Sequence, residues 1–184
     1  MGNKVKSIAE QLLIVANIFI LFLLIFENRW VVPLWIQPIG RMHPLLLHFP
    51  IVLLLLALGM EMFRFKPENS ANSFYEKFLS SFWLAGTFTA AITVVMGLFL
   101  AKEDGYAGNT LATHKWLGIG TLWAGMAIYF FRKAPWYTPT LARIGAAMVA
   151  IALLLGGHYG ATLTHGENFV SEPLTRNESV PLDK

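Results

Sequence analysis

The sequence has no cysteine among its 184 residues. Without cysteine the chain has no disulfide, thiolate metal site, iron–sulfur cluster or covalently attached c-type haem. Any metal or cofactor must therefore bind through histidine or through oxygen ligands.

Charge is also scarce. Charged residues make up 14% of the chain and hydrophobic residues 55%, and the mean hydropathy is +0.55. This balance is typical of a membrane protein. The formal net charge is +3, but the basic residues stand singly at the ends of apolar runs. We interpret them as topology signals and expect no nucleic-acid partner.

Five apolar runs each have roughly the twenty residues that span the hydrocarbon of a bilayer. They cover residues 8–26, 44–65, 78–101, 111–131 and 141–163. The first run follows a basic start but lacks a small-residue cleavage site, so we expect a retained helix rather than a signal peptide. The sequence therefore predicts an all-α integral membrane protein, an antiparallel four-helix transmembrane bundle plus one extra N-terminal transmembrane helix.

This pattern divides the chain into four parts. An N-terminal transmembrane helix occupies residues 1–29, and an interfacial loop rich in tryptophan, proline and glycine occupies residues 30–42. The four-helix membrane domain covers residues 43–165, and a polar tail covers residues 166–184.

Basic residues beside the helix ends predict the orientation. One side holds eight of them and the other side only four near the helices, so the richer side is expected in the cytoplasm. The N-terminus is then cytoplasmic and the tail periplasmic, in a bacterial inner membrane. Glu61 and Arg64 are expected to mark the cytoplasmic interface. The eight basic residues are Lys4, Lys6, Arg64, Lys66, Lys77, Arg132, Lys133 and Arg143.

Antiparallel threading brings all five histidines to the periplasmic side. A rise of about 1.5 Å per residue places His48 roughly 7 Å below His43, and His158 roughly 10 Å below His165. His48 and His158 are therefore candidate partners at one depth, with His114 slightly shallower. Histidine inside a bilayer is costly and normally faces the bundle interior with a partner.

A histidine pair on different helices can hold a haem iron from both sides. Our preferred ligands are His48, His114 and His158. His43 and His165 are candidates for a second ligand pair or for hydrogen-bond donors that orient the ligands.

A haem also needs space and cations. Gly118 follows His114 by one helical turn and begins a face of small residues that leaves room for a flat macrocycle. Arg41 and Lys115 stand beside His43 and His114, where they are expected to pair with the propionates of haem b.

Two other interpretations stay open. In the first, the histidines act as hydrogen-bond donors between helices in a scaffold subunit of a larger complex. Alternatively, Met42, His43 and a neighbouring histidine form a copper site, because thioether and imidazole both suit copper. No serine–histidine dyad or zinc-protease motif is present, so an electron-transfer subunit is favoured over a stand-alone enzyme.

Three strings of residues carry a resemblance to a known family. They are HPLLLHFP at 43–50, HKWLG at 114–118 and GHYGATLTHG at 157–166. Over about residues 41–170 the chain resembles a poorly characterised bacterial family of four-helix membrane domains, commonly joined to periplasmic c-type cytochromes. The resemblance implies electron transfer beside c-type haems. This chain has no C-x-x-C-H motif, so such a haem is expected on another subunit.

Together these observations predict a b-type haem membrane subunit, with one haem b or two. It would relay electrons between quinol or a partner subunit and a periplasmic c-type cytochrome, in contact with membrane lipid.

Overall fold

The computed structural model describes residues 3–167, and these residues contain helices and turns but no strand. The prediction of an all-α membrane protein is confirmed. The expected tail lies, from residue 168 onward, outside the described residues. The helices are α1 (Asn3–Ile25), α2 (Gln37–Arg41), α3 (His43–Leu46), α4 (His48–Phe63), α5 (Pro67–Ser70), α6 (Ser73–Leu100), α7 (Asn109–Phe131) and α8 (Pro139–His165).

Four helical segments are long and apolar enough to cross a membrane. They are Lys4–Ile25, Gln37–Phe63, Ser73–Leu100 and Pro139–His165. The second combines α2, α3 and α4, which follow one another with single-residue breaks. The remaining long helix, α7, has 23 residues but begins with several polar side chains. It joins the bundle by packing against α6 and α8.

Local capping explains where two helices begin. The side chain of Asn72 accepts hydrogen bonds from the backbone N–H groups of Phe74 and Tyr75, at 3.0 and 3.2 Å, so α6 starts five residues before the predicted run. Thr138 caps α8 in the same way through the N–H of Leu141. The predicted interfacial loop is partly helical, because α2 occupies its second half.

The core of the bundle is centred on α6, which contacts α1, α4 and α7, while α8 packs on α4 and α7. Trp83 on α6 is completely buried. Gly86 lies so close to α4 that an added Cβ would be 2.9 Å from a methyl carbon of Leu54. Small residues thus allow close approach of helices, as expected where packing rather than hydrophobicity drives association.

Helix α1 runs antiparallel to α7 and is held by polar contacts along its length. Tyr129 donates a hydrogen bond to Glu10, and the indole of Trp123 donates to the Asn17 side chain at 3.2 Å. Near the other end of the helix, Lys115 pairs with Glu27 at 2.7 Å. Because these contacts lie far apart along α1, the extra N-terminal helix is part of the bundle.

The bundle has two chemically different ends. We call the end that contains His43, His114 and Glu27 the histidine end. The opposite end, which contains Arg64 and Arg132, is called the arginine end. The short connections alternate between them, so the long helices are antiparallel in sequence order.

Candidate functional site

His43, at the start of α3, docks onto the last turns of α6. Its Nδ1 donates a hydrogen bond to the backbone carbonyl of Thr93 at 2.7 Å. A carbonyl can only accept, so Nδ1 carries the proton and the lone pair is on Nε2. The ring packs against Gly97, where an added Cβ would lie 3.1 Å from the ring carbon Cε1. Glycine at residue 97 therefore makes room for the imidazole.

His114, in the second turn of α7, docks onto α8 in the same manner. Its Nδ1 donates to the backbone carbonyl of Gly156 at 2.9 Å. Its ring packs against Gly160, where an added Cβ would lie 3.0 Å from Cε1. In both cases the glycine follows the accepting residue by four positions, one helical turn further on.

The two docked imidazoles lie next to each other in an edge-on arrangement. Their ring centres are 6.1 Å apart and the planes cross at 84°. Metal–imidazole bonds of about 2 Å on either side of one ion would put two ring centres about 6 Å apart. Both rings have the protonated Nδ1 and available Nε2 that metal-ligating histidines commonly show. His43 and His114 are thus a pair of histidines whose rings the structure brings together.

Across residues 3–167, no group of three or more histidine or carboxylate side chains is arranged to hold a metal ion. A bare ion would therefore need further ligands from elsewhere. A haem iron needs only two, because the porphyrin occupies its other positions.

His48 and His158 are placed differently from the expected pairing. Both side chains are exposed on the outside of the bundle, and within the described part of the chain no hydrogen bond or ring contact joins them. His158 packs edge-on against Tyr159 instead. His165, at the end of α8, is exposed as well.

Helical phase explains this placement. His48 follows His43 by five residues, which is about 140° around an α-helix, so one faces α6 and the other faces out. His158 follows Gly156 by two residues and lies on the far side of α8 for the same reason. The expected pairing of His48 with His158 rested on their similar depth and did not include the direction in which each side chain leaves its helix.

The two cations expected to bind propionates both have carboxylate partners. Arg41 pairs with Glu103 at 2.8 Å and is exposed, whereas Lys115 pairs with Glu27 at 2.7 Å and is largely covered. Both ion pairs border the histidine end. Beside Gly118 the space is open, with no atom within 4 Å of an added Cβ.

A family described as "Predicted membrane protein (DUF2231)" matches residues 40–171. The chain belongs to this family. The DUF2231 region contains all five histidines and both docking glycines, and α1 lies outside it. The comparison with curated proteins found no match, and the comparison with solved structures found none either.

At the arginine end, the DUF2231 region contains a buried charge network that sequence reasoning missed. Glu61 is 0% exposed and Arg132 is 1% exposed. Glu61 accepts a hydrogen bond from the indole of Trp83 at 3.0 Å and pairs with both Arg64 and Arg132. Glu76 pairs with the same two arginines, each at 2.7 Å. Two carboxylates and two guanidinium groups therefore balance each other.

We expect Glu61 and Arg64 at the cytoplasmic interface, and the structure adds that the Glu61 side chain is fully buried at that end of the bundle. The side chain turns inward toward α6, where the two arginines and Trp83 replace the hydrogen bonds of water. A buried charge is tolerated only with such partners. The Arg132 contribution comes from the end of α7, 71 residues away in sequence, so no local pattern predicts it.

Proposed function

We propose that this DUF2231 protein is a b-type haem-binding membrane subunit. It relays electrons at the periplasmic face of a bacterial inner membrane, between quinol or a partner subunit and a c-type cytochrome. The observation that carries this proposal is the pair of imidazoles of His43 and His114, 6.1 Å apart and each fixed by a backbone carbonyl.

His43 and His114 would be the two protein ligands of the haem iron. Each ring is oriented by its Nδ1 hydrogen bond, so the Nε2 lone pairs are the available ligand atoms. His43 and His114 belong to different helices, α3 and α7, so both helices would hold the group. One helical turn after His114, no atom lies within 4 Å of a Cβ added at Gly118.

The surrounding residues would position the group and compensate its charge. Arg41 and Lys115 stand beside the two histidines in sequence and are the candidate partners of the propionates. Each propionate would share its cation with the present carboxylate partner, Glu103 or Glu27, or replace that partner. A bound haem would supply the one-electron chemistry, and the protein would supply ligation and charge compensation.

The position of the pair near one end of the bundle favours a relay on one face over conduction across the membrane. Basic residues are concentrated at the arginine end, which puts that end in the cytoplasm by the positive-inside rule. The histidine end then faces the periplasm, where a soluble or tethered c-type cytochrome reaches it.

His48, His158 and His165 stay candidate ligands of a second haem. Their side chains face outward, so a second haem would lie against a partner subunit. The preferred single site is therefore His43 with His114.

A scaffold function is the rival from another class. The two hydrogen bonds from Nδ1 of His43 and His114 join neighbouring helices. Such bonds are also expected if the histidines only stabilise helix packing. A copper site at His43, with Met42 beside it in sequence, is the second rival.

The deciding experiment is a reduced-minus-oxidised visible spectrum of the purified protein, with a pyridine haemochrome assay for non-covalent haem b. The protein is produced with an adequate haem supply. Sharp low-spin bands are expected, and they should be lost in His43→Gln and in His114→Gln. Trp116→Phe, an exposed change in the same part of α7, is the matched control and should keep the bands.

Other outcomes separate the alternatives. Loss of the bands in His48→Gln and His158→Gln but not in the first two variants would overturn the assigned pair. A reproducibly silent spectrum would refute haem binding. Copper found by elemental analysis would then favour the metal site, and its absence would favour the scaffold.

A further inference from the structure

The arginine end contains a cavity of about 330 Å³ that plays no part in the proposed haem site. It lies where the start of α1, the first three turns of α6 and the connection from α7 to α8 meet. Its polar lining is three lysines and three serines, together with Glu76. These are Lys6, Lys77 and Lys133, with Ser73, Ser80 and Ser81.

The cavity carries a net positive charge. Glu76 is the one acidic residue in its lining, and both of its carboxylate oxygens are bonded to arginines, Arg64 and Arg132, at 2.7 Å. Lys6 has a distant carboxylate partner, 3.7 Å away in Glu10. Among residues 3–167, neither Lys77 nor Lys133 forms an ion pair within 4.0 Å; Lys133 interacts with Glu76 only at longer range, and that carboxylate is already paired with two arginines.

The three ammonium groups come from three different elements of the fold. Lys6 is on α1, Lys77 on α6, and Lys133 follows α7. On α6, residues 73, 77, 80, 81 and 84 recur at helical spacing and form one face. The tertiary structure therefore collects a basic face that is dispersed in the sequence.

The location favours a lipid over a soluble anion. The cavity is at the first turns of the membrane-spanning helices, and Leu84 forms its apolar part deeper in the bundle. Phe74 and Phe78 flank the same turns of α6, are exposed, and pack against each other with ring centres 4.5 Å apart. Phenyl rings suit the lipid hydrocarbon and lysine ammonium groups suit the headgroups, so these turns of α6 are expected at the boundary between the two.

We propose that this cavity binds the phosphate group of an anionic phospholipid, with Lys6, Lys77 and Lys133 as its cationic partners. Serine hydroxyls line the cavity beside the lysines, although that of Ser81 already donates to the backbone carbonyl of Lys77 at 2.9 Å. Basic pockets between transmembrane helices bind acidic lipid headgroups by this chemistry. The binding is independent of the haem, so either proposal can fail alone.

The test measures phosphatidylglycerol bound to the whole protein in mixed detergent micelles, by native mass spectrometry and by a titration of thermal stability. Phosphatidylcholine is the neutral comparison. The variant Lys6→Gln/Lys77→Gln/Lys133→Gln removes the three charges of the cavity. The control Lys4→Gln/Lys66→Gln/Arg143→Gln removes three charges from the same end outside it.

The wild-type protein should prefer phosphatidylglycerol to phosphatidylcholine. Each lysine near an anionic lipid is worth about fivefold in affinity, so the cavity variant should bind phosphatidylglycerol roughly a hundredfold more weakly. The control variant should stay within a fewfold of wild type. Should the triple variant fail to insert, the single changes Lys77→Gln and Lys133→Gln at exposed positions provide the same comparison.

Two results would overturn the proposal. Equal weakening in the cavity and control variants would mean that general surface charge attracts the lipid. Inorganic phosphate that stabilises the wild-type protein as well as phosphatidylglycerol, and loses this effect in the cavity variant, would assign the cavity to a soluble phosphate instead.

Discussion

The packing of His114 against Gly160 gives a prediction that can be worked out from the structure. In Gly160→Ala, the new Cβ would lie 3.0 Å from Cε1 and 3.3 Å from Nδ1 of His114. Carbon atoms normally rest about 3.5–4.0 Å apart. The ring must therefore move by a few tenths of an ångström, away from the Gly156 carbonyl that it contacts at 2.9 Å.

The expected cost is the sum of two effects. Overpacking of a filled site costs about 1–3 kcal/mol, and a weakened interhelical hydrogen bond in a membrane protein costs about 0.6 kcal/mol. Alanine also favours a helix over glycine by up to about 1 kcal/mol, which acts in the opposite direction. A control at a helical glycine with open space removes this last contribution from the comparison.

Gly157→Ala is that control, because it lies on the same helix and no atom is within 4 Å of the added Cβ. Gly160→Ala should be less stable than Gly157→Ala by about 2 kcal/mol. The measurement is reversible unfolding in mixed micelles, followed by circular dichroism. If the two variants unfold at the same detergent composition, the imidazole is not held at Gly160 as the structure describes.

Three further predictions concern other parts of the bundle. Glu61→Gln should lower the free energy of unfolding by about 3–5 kcal/mol, because it leaves the buried Arg132 charge poorly compensated; Glu68→Gln, an exposed change at the same end, should leave it nearly unchanged, and equal unfolding of the two would contradict the network. Gly40→Ala should destabilise the bundle by about 2 kcal/mol in the same assay, since its Cβ would be 2.8 Å from the backbone nitrogen of Leu100; wild-type stability would show that α2 does not pack there. Burial, together with the Glu61 charge, raises the pKa of the Tyr137 hydroxyl. The contribution of this hydroxyl to stability is therefore present below pH about 10 and is lost as the pH rises further. In thermal unfolding, Tyr137→Phe should gain stability relative to wild type between pH 8 and pH 11, and a difference that stays constant with pH would refute the assignment.

The two docked histidines also reveal a repeated arrangement that is hard to see in the sequence. His43 meets a carbonyl and a glycine four residues apart on α6, and His114 meets the same combination on α8. The accepting residues, Thr93 and Gly156, are of different types, since only their backbone carbonyls take part in the hydrogen bonds. A side-chain pattern therefore could not identify them.

The helices and their membrane character follow from the sequence alone. Long apolar runs must form helices in a bilayer, because every backbone polar group needs a partner there. Alternating helix direction also follows from the short connections, and it is enough to collect the histidines near one end of the bundle. The start of α6 lies five residues before the predicted run, although Asn72 is a strong helix cap that could have marked it.

Tertiary structure alone decided which polar groups meet. The depth of a residue along its helix can be estimated from the local sequence, but the rotation of the helix about its axis depends on how its neighbours pack. This rotation brings His43 next to His114 and turns His48 outward. Burial of Glu61 likewise depends on an arginine 71 residues away. Hydropathy measures how well a segment suits lipid, whereas the fit of side chains between helices determines which charges and rings share an interior.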